Sequence, residues 1–435
     1  MTTISIAVRG AIQNLDAAAN RVLFERTSAS DPAVRERTTR IINRVRADGD
    51  YALRAFAQEF DGAVLEQIEV PRAAWQQALD ALPADLRRAM ERSAANIRQV
   101  HEAFRPMERE VVTADGAVIG RRPDPLGRVG VYAPGGRAAY PSSLLMGVVP
   151  ARVAGVGEVI VCSPPGPDGL PSAVVMAAAM LAGADRLFAV GGAGAIATMA
   201  YGTATIPVVD RIVGPGNAYV AEAKAQVSSV TAIDSPAGPS EVLVIADGSA
   251  SPDVVTRELL AQAEHDPMAA VVLISTSEPL LNAVEERLQR LIPAEPRAAV
   301  ITASLSSRGA LLLAATMDEA VAFSNRWAPE HLLLAVGDPG AVLPRIRNAG
   351  TVFVGETAAV AFGDYMSGAN HVLPTGGLCR AYSGLSTVDF YRWTTWQRIG
   401  RAAAARLSAD VGVFADAEGL PAHAASARQW IESAR

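Results

Sequence analysis

The chain carries only five histidines in 435 residues, and four of them lie from His265 onward beside residues able to bind a metal or move a proton. They are His265 in Gln262-Ala263-Glu264-His265, His331 in Pro329-Glu330-His331, His371 in Gly368-Ala369-Asn370-His371 and His423 in Pro421-Ala422-His423. Histidine is the commonest metal ligand and titrates near neutral pH, so this company points to metal binding or proton transfer. His101, in Arg98-Gln99-Val100-His101-Glu102, falls on a polar helix and reads as a solvated surface residue.

Gln262 and His265 are three apart on an expected helix and share one face. An imidazole with an amide oxygen suits zinc or a harder divalent ion. The same residues also read as a helix end, with His265 capping carbonyls ahead of Asp266-Pro267. Glu330 beside His331 is a plausible base and proton relay, each group shifting the other's pKa. Neighbours on a strand point to opposite faces, so the two can serve one site only if the backbone bends, as Pro329 could arrange. Asp364 lies between glycines in Gly363-Asp364-Tyr365-Met366-Ser367-Gly368, just past the last expected strand, and reads as a site loop or an ordinary turn. The general rule for such sheets places it outside their carboxyl ends.

Three glycine-bearing strand-to-helix loops, Pro134-Gly135-Gly136, Gly192-Ala193-Gly194 and Gly214-Pro215-Gly216-Asn217, suit a nucleotide, because backbone N–H groups at a helix start can meet a phosphate. The second has the fingerprint spacing of a dinucleotide loop, with Asp210 downstream as its acid. Cys162 ends a strand with no base beside it and reads as packing.

Positioning these groups requires two α/β units. Asp31-Pro32 opens a helix running to about Phe60 and stopping at Asp61-Gly62, while residues 1–30 give no clear signal. A second helical stretch, divided at Pro83, extends from Pro71 to Phe104, and Val111–Arg121 turns as a hairpin at Asp115-Gly116. Short apolar runs at 129–132, 159–162, 187–190, 208–213 and 230–233 alternate with alanine-rich helices, and the alternation restarts at 242–246, 271–274, 310–313, 332–334 and 351–354. That pattern implies βαβ units and parallel sheets covered on both faces. The organisation expected is an N-terminal helical segment and hairpin (1–127) packing on the second unit, a first α/β domain (128–236), a second carrying most of the candidate residues (237–375), and a helical tail (376–435) beginning near Trp393. The tail has too little core of its own and must pack on its own body or on a second subunit.

The composition, half apolar with 19% charged residues and a net charge of −6, fits a compact enzyme and gives no basic footprint for nucleic acid. Two cysteines cannot staple a chain of this length and fit a reducing compartment. No apolar run approaches the ~20 residues of a membrane helix. A cytoplasmic protein without membrane or nucleic-acid partners is expected.

Taken together, Gly130-Val131-Tyr132, Tyr140-Pro141-Ser142-Ser143, Val213-Gly214-Pro215-Gly216-Asn217, Ala237-Gly238-Pro239-Ser240-Glu241, Gln262-Ala263-Glu264-His265, Pro329-Glu330-His331 and Gly363-Asp364-Tyr365 through His371-Val372-Leu373-Pro374 resemble the histidinol dehydrogenases over nearly the whole chain. The resemblance implies a fold of two tandem incomplete Rossmann-like domains, and oxidation of L-histidinol to L-histidine, through the aldehyde, by two hydride transfers to NAD. It implies one zinc ion per subunit on Gln262, His265, Asp364 and His423, with these residues and His331 also contacting substrate. Glu330 and His331 would be the acid–base pair, Ser240, His371 and Glu418 further substrate contacts, and Tyr132, Gly194 and Asn217 NAD contacts. It further implies a homodimer with exchanged tails, so that His423 and Glu418 complete the neighbour's site. Gly194 departs from the glutamine usual in the family. Two alternatives are a related zinc and NAD dehydrogenase acting on another polar alcohol, such as a sulfonated diol, and a zinc hydrolase without NAD.

Overall fold

The computed structural model describes residues 4–26, 31–135, 139–235 and 238–431. Gly136 of the first glycine loop and the expected domain boundary at 236/237 lie outside them. The strands run β1 Val8–Ala11, β2 Arg109–Val112, β3 Val118–Pro125, β4 Arg128–Tyr132, β5 Glu158–Ser163, β6 Arg186–Ala189, β7 Arg211–Val213, β8 Ala232–Ile233, β9 Glu241–Ala246, β10 Ala270–Ser275, β11 Gly309–Leu313, β12 His331–Ala335, β13 Thr351–Val354 and β14 Tyr391–Arg398.

Two parallel sheets follow one another, ordered β6-β5-β4-β7-β8 and β1-β11-β10-β9-β12-β13. Apart from the added β1, both have the same order, with the first strand of each unit at the centre and the chain reversing direction beside it. Strands β9, β10 and β12 are buried at every position, which is why they read as continuous apolar runs: helices cover both faces. This two-unit α/β architecture with helical ends is the fold expected from the sequence.

Several details differ. The unsignalled N-terminal segment forms β1, an edge strand parallel to β11, and a helix Ala17–Phe24. The first long helix breaks at Gly49, whose φ is 54°, into Pro32–Asp48 and Asp50–Phe56. Only the first 26 residues pack on the second sheet; the helices from Pro32 to Ala103 pack on the first. Ile42, Leu53, Trp75 and Ile97 share one buried cluster with Val129 and Ile160. A helix at Ala298–Arg308 was not expected. The tail does not begin as a helix at Trp393. Residues Tyr391–Arg398 form β14, antiparallel to β3 along its length, and make the hairpin a three-stranded sheet; helices Arg401–Ala417 and Pro421–Arg428 follow. The run Trp393-Thr394-Thr395-Trp396 favours a strand by its aromatic and β-branched content.

His101 is not at the surface. It is 2% exposed, its Nδ1 accepts the Thr387 N–H at 3.2 Å and its carbonyl accepts the Thr387 hydroxyl at 2.9 Å. Its helix, Ala84–Ala103, turns a stripe of Met90, Ser93, Ile97 and His101 inward, and burial lowers the imidazole to about 4.

Candidate functional site

His331 opens β12 and pairs in register with Val242 and Thr351, so it stands at the amino edge of the second sheet. Its Nδ1 lies 3.0 Å from the backbone oxygen of Glu241. A carbonyl can only accept, so Nδ1 carries the proton and Nε2 keeps its lone pair. Nε2 is buried without a hydrogen-bond partner and lies 3.7 Å from Asp364 Oδ1. Burial lowers this imidazole to about 4, so it is neutral at neutral pH. The backbone N–H of the same Glu241 donates to Glu330 Oε2 at 2.6 Å, and that oxygen is 3.5 Å from His331 Nδ1. One residue of β9 thus holds both groups. The bend that lets neighbours share a site falls just upstream, where Ala328 takes a left-handed φ of 54° ahead of Pro329. Burial, with the nearby charges of Glu241 and Asp364, holds the Glu330 carboxyl well above the usual range.

Asp364 reaches His331 because the chain turns back after β13 in a short helix, Val360–Tyr365. Gly363 permits this return, since a Cβ there would meet the Phe353 ring at 2.7 Å. Asp364 therefore sits at the amino edge, not outside the carboxyl ends where the general rule for such sheets puts it. Desolvation, then the charge of Glu258, raises it to about 7. Its backbone oxygen accepts from His371 Nδ1 at 2.9 Å, and His371 Nε2 faces Ser143 Oγ at 3.2 Å. Ser143 is in the first turn of the helix Pro141–Ala154 of the first unit, and Asn370 donates to the Met146 carbonyl of that helix at 2.8 Å. The site thus lies between the amino edge of the second sheet and the first unit. Burial lowers His371 to about 4.

The helix Pro252–Ala263 contributes Gln262, buried with its Nε2 unpartnered, and ends before His265. His265 stands close enough for its charge to act on both His331 and His371. Ser240 directly precedes Glu241 at the same edge.

At the carboxyl edge of the first sheet, a cavity of about 310 Å³ is lined by Tyr132, Gly135, Gly192, Gly194 and Asn217. Tyr132 is buried and its hydroxyl accepts the Gly192 N–H at 3.0 Å. Gly214, with φ 115°, passes so close that a Cβ would lie 2.2 Å from the Tyr132 carbonyl. Asn217 caps the helix Ala218–Val227 through its side-chain oxygen. The dinucleotide fingerprint does not hold beyond its glycines. Asp210 accepts the Arg128 N–H at the opposite edge of the sheet, because it precedes β7 and not the loop that follows it.

The family model for histidinol dehydrogenase matches residues 24–430 of this chain. The chain belongs to the histidinol dehydrogenase family. It is 45% identical over 409 residues to the histidinol dehydrogenase of Dechloromonas aromatica, covering 93% of this chain and 94% of that one. It is 48% identical over 418 residues to that of Natronomonas pharaonis, covering 96% and 98%. Its fold matches the crystal structure of the histidinol dehydrogenase of Elizabethkingia anophelis with a TM-score of 0.93 at 32% identity, over 99% of each chain.

In this member of the histidinol dehydrogenase family, Glu418 and His423 are exposed on the tail and form no hydrogen bond or ion pair with the site among the described residues. Nor do the described residues of one chain gather three His, Cys, Asp or Glu side chains as for a metal ion. The chemistry of the site still fits a cation. Burial raises Glu258, Glu330 and Asp364 above their ordinary pKa, and a cation beside them would favour their ionised forms, while Gln262 and His331 keep buried atoms unpartnered.

Three residues of the site are not among those the sequence assigns a role. Glu241 is one. Arg26 is another: it pairs with the Glu241 carboxylate at 2.6 Å and stacks on Trp327 at 3.6 Å. Glu258 is the third, capping the Asp364 helix by accepting the Val360 N–H at 3.0 Å. Glu258 is one helical turn before Gln262 on the same face, a spacing that could have found it. Cys162 is fully buried, and burial pushes its thiol up, as packing requires.

Proposed function

We propose that this protein oxidises L-histidinol to L-histidine through L-histidinal, with two hydride transfers to NAD, as the last step of histidine biosynthesis. The observation that carries this reading is His331, a neutral imidazole whose proton is fixed on Nδ1 and whose bare Nε2 opens into a buried acidic pocket.

The carbinol hydroxyl gives its proton to His331 Nε2 as hydride leaves the carbon. The aldehyde stays held while water adds to it, with Glu330 taking a proton from that water. His331, having released its first proton to solvent, takes the next hydroxyl proton as the second hydride leaves. The sum is one alcohol, one water and two oxidised dinucleotides giving a carboxylate, two reduced dinucleotides and three protons. Glu330 acts as a base only once positive charge enters the pocket, since a nearby cation favours its ionised form. The substrate's own ammonium supplies some of that charge. Ser240, His371 and Glu418 are the further substrate contacts.

Gln262, His265 and Asp364 would hold zinc, with His423 supplied by a second copy of the chain in a homodimer. The ion would orient the substrate and strengthen the positive potential at its oxygen. Tyr132, Gly194 and Asn217 line the cavity that would take NAD, the hydride acceptor. The family supports histidinol over a sulfonated diol, and the glycine-lined cavity supports a dinucleotide over a hydrolase without one. No described helix is long and apolar enough to cross a membrane, which agrees with a cytoplasmic enzyme.

Reduced dinucleotide is followed as histidinol is added, with and without a chelator. Formation that the chelator abolishes and zinc restores is the expected result. No formation, or formation indifferent to both treatments, contradicts the reading.

A further inference from the structure

The cavity at the carboxyl edge of the first sheet has a second wall, built from the N-terminal helices. It brings a cation and an anion into the cavity, Arg37 and Asp61. Neither makes an ion pair or a side-chain hydrogen bond among the described residues. Arg37, exposed at the rim, lies over the Phe60 and Tyr219 rings at 5.7 and 5.8 Å. Asp61 ends the turn Ala57–Asp61 ahead of Gly62 and is near enough for its charge to act on Tyr132. Desolvation raises its carboxyl to about 6.

An uncompensated carboxylate in a partly dry cavity is unfavourable unless hydroxyl or N–H donors come to it. The loop acid that serves this purpose in ordinary dinucleotide folds has no counterpart here, because Asp210 stands at the other edge of the sheet.

Resting on the reading of the cavity as a dinucleotide site, we propose that Asp61 selects the dinucleotide by accepting the adenosine ribose hydroxyls and repelling a 2′-phosphate, while Arg37 pairs with the pyrophosphate. The adenosine end is assigned from the two sites' separateness. The cavity shares no lining residue with the pocket at His331, where the nicotinamide must meet the substrate. An extended molecule reaching from one to the other leaves its adenosine sugar on the helical wall. Charge repulsion against a phosphorylated analogue is how one carboxylate gives discrimination that apolar contacts cannot.

The test is equilibrium binding of NADH and NADPH to the full-length protein, read by nicotinamide fluorescence without substrate. Wild type binds NADH more tightly than NADPH. Asp61→Asn weakens NADH by about tenfold, the value of one charge-assisted hydrogen bond, and narrows the NADH/NADPH ratio by at least as much. Arg37→Gln weakens both ligands by a similar factor and leaves the ratio alone. Because Asp61 loses a desolvated charge, Asp61→Asn melts at the wild-type temperature or above, which separates a lost contact from a lost fold. Equal affinities of wild type for the two ligands, or an unchanged ratio in Asp61→Asn, overturns the proposal while leaving the dinucleotide site standing. If wild type binds neither ligand, the dinucleotide reading falls and the proposal with it.

Discussion

Glu241 holds the backbone of the site in both directions: its N–H donates to Glu330 Oε2 at 2.6 Å and its carbonyl accepts from His331 Nδ1 at 3.0 Å. A single residue of β9 thereby fixes where Glu330 points and which nitrogen of His331 is free. The side chain of Glu241 is committed elsewhere, to Arg26 and to the Gly376 N–H at 2.9 Å.

That commitment makes Arg26 a stability determinant. Arg26→Met leaves the buried Glu241 carboxylate uncompensated, and breaking a buried pair from one side costs about 3–5 kcal/mol. Urea unfolding measures it. Arg26→Met combined with Glu241→Gln recovers most of the loss, because the orphaned charge is gone.

Glu330→Gln separates the two oxidations. The amide keeps the shape but cannot take a proton from water. Turnover to histidine falls by on the order of a hundred- to ten-thousand-fold, and the aldehyde is released and trapped by a carbonyl reagent. His331→Gln slows both oxidations, with zinc content unchanged. Equal residual rates for alcohol and aldehyde in Glu330→Gln contradict this division of labour.

His101 is one contributor to the pH dependence of folding, remote from the site. Its folded value of about 4 lies below the ordinary 6.5, so the unfolded chain binds the extra proton. The neutral buried ring is favourable above 6.5, and stability is lost as pH falls from 6.5 through 4. One such group accounts for roughly 3 kcal/mol over that window. His101→Asn, which keeps a partner for Thr387, shows a shallower loss of unfolding free energy on acidification than wild type. Parallel curves rule this out.

The exposed tail predicts complementation. Val413 and Phe414 are 66% and 71% exposed, an apolar face that the chain itself leaves open. Mixed dimers of His423→Ala with Glu330→Gln retain one intact site each if the tails are exchanged, and recover activity that neither parent has. Mixing without recovery contradicts a shared site.

Much of this was legible in the chain. The continuous apolar runs gave the two parallel sheets, and the rarity of histidine gave His265, His331 and His371. The rest depends on contacts between distant residues. Nothing near Glu330 announces that Glu241 will clasp it, because register between β9 and β12 is set by packing of both strands. The left-handed Ala328 carries no compositional mark, and Asp364 lies at the amino edge, opposite to the general rule, because the short helix Val360–Tyr365 reverses the chain after β13. The polar neighbours of His101 suggest a surface position, whereas Met90, Ala94, Ile97 and His101 recur at helical spacing and mark the inward stripe that buries it.

The most direct measurement is the stoichiometry of the complete reaction. With histidinol limiting and NAD in excess, two equivalents of NADH appear for each histidinol consumed, and histidine is recovered in the amount of histidinol lost. One equivalent with accumulating aldehyde, or no NADH at all, contradicts a four-electron oxidation carried by His331 and Glu330 in one pocket.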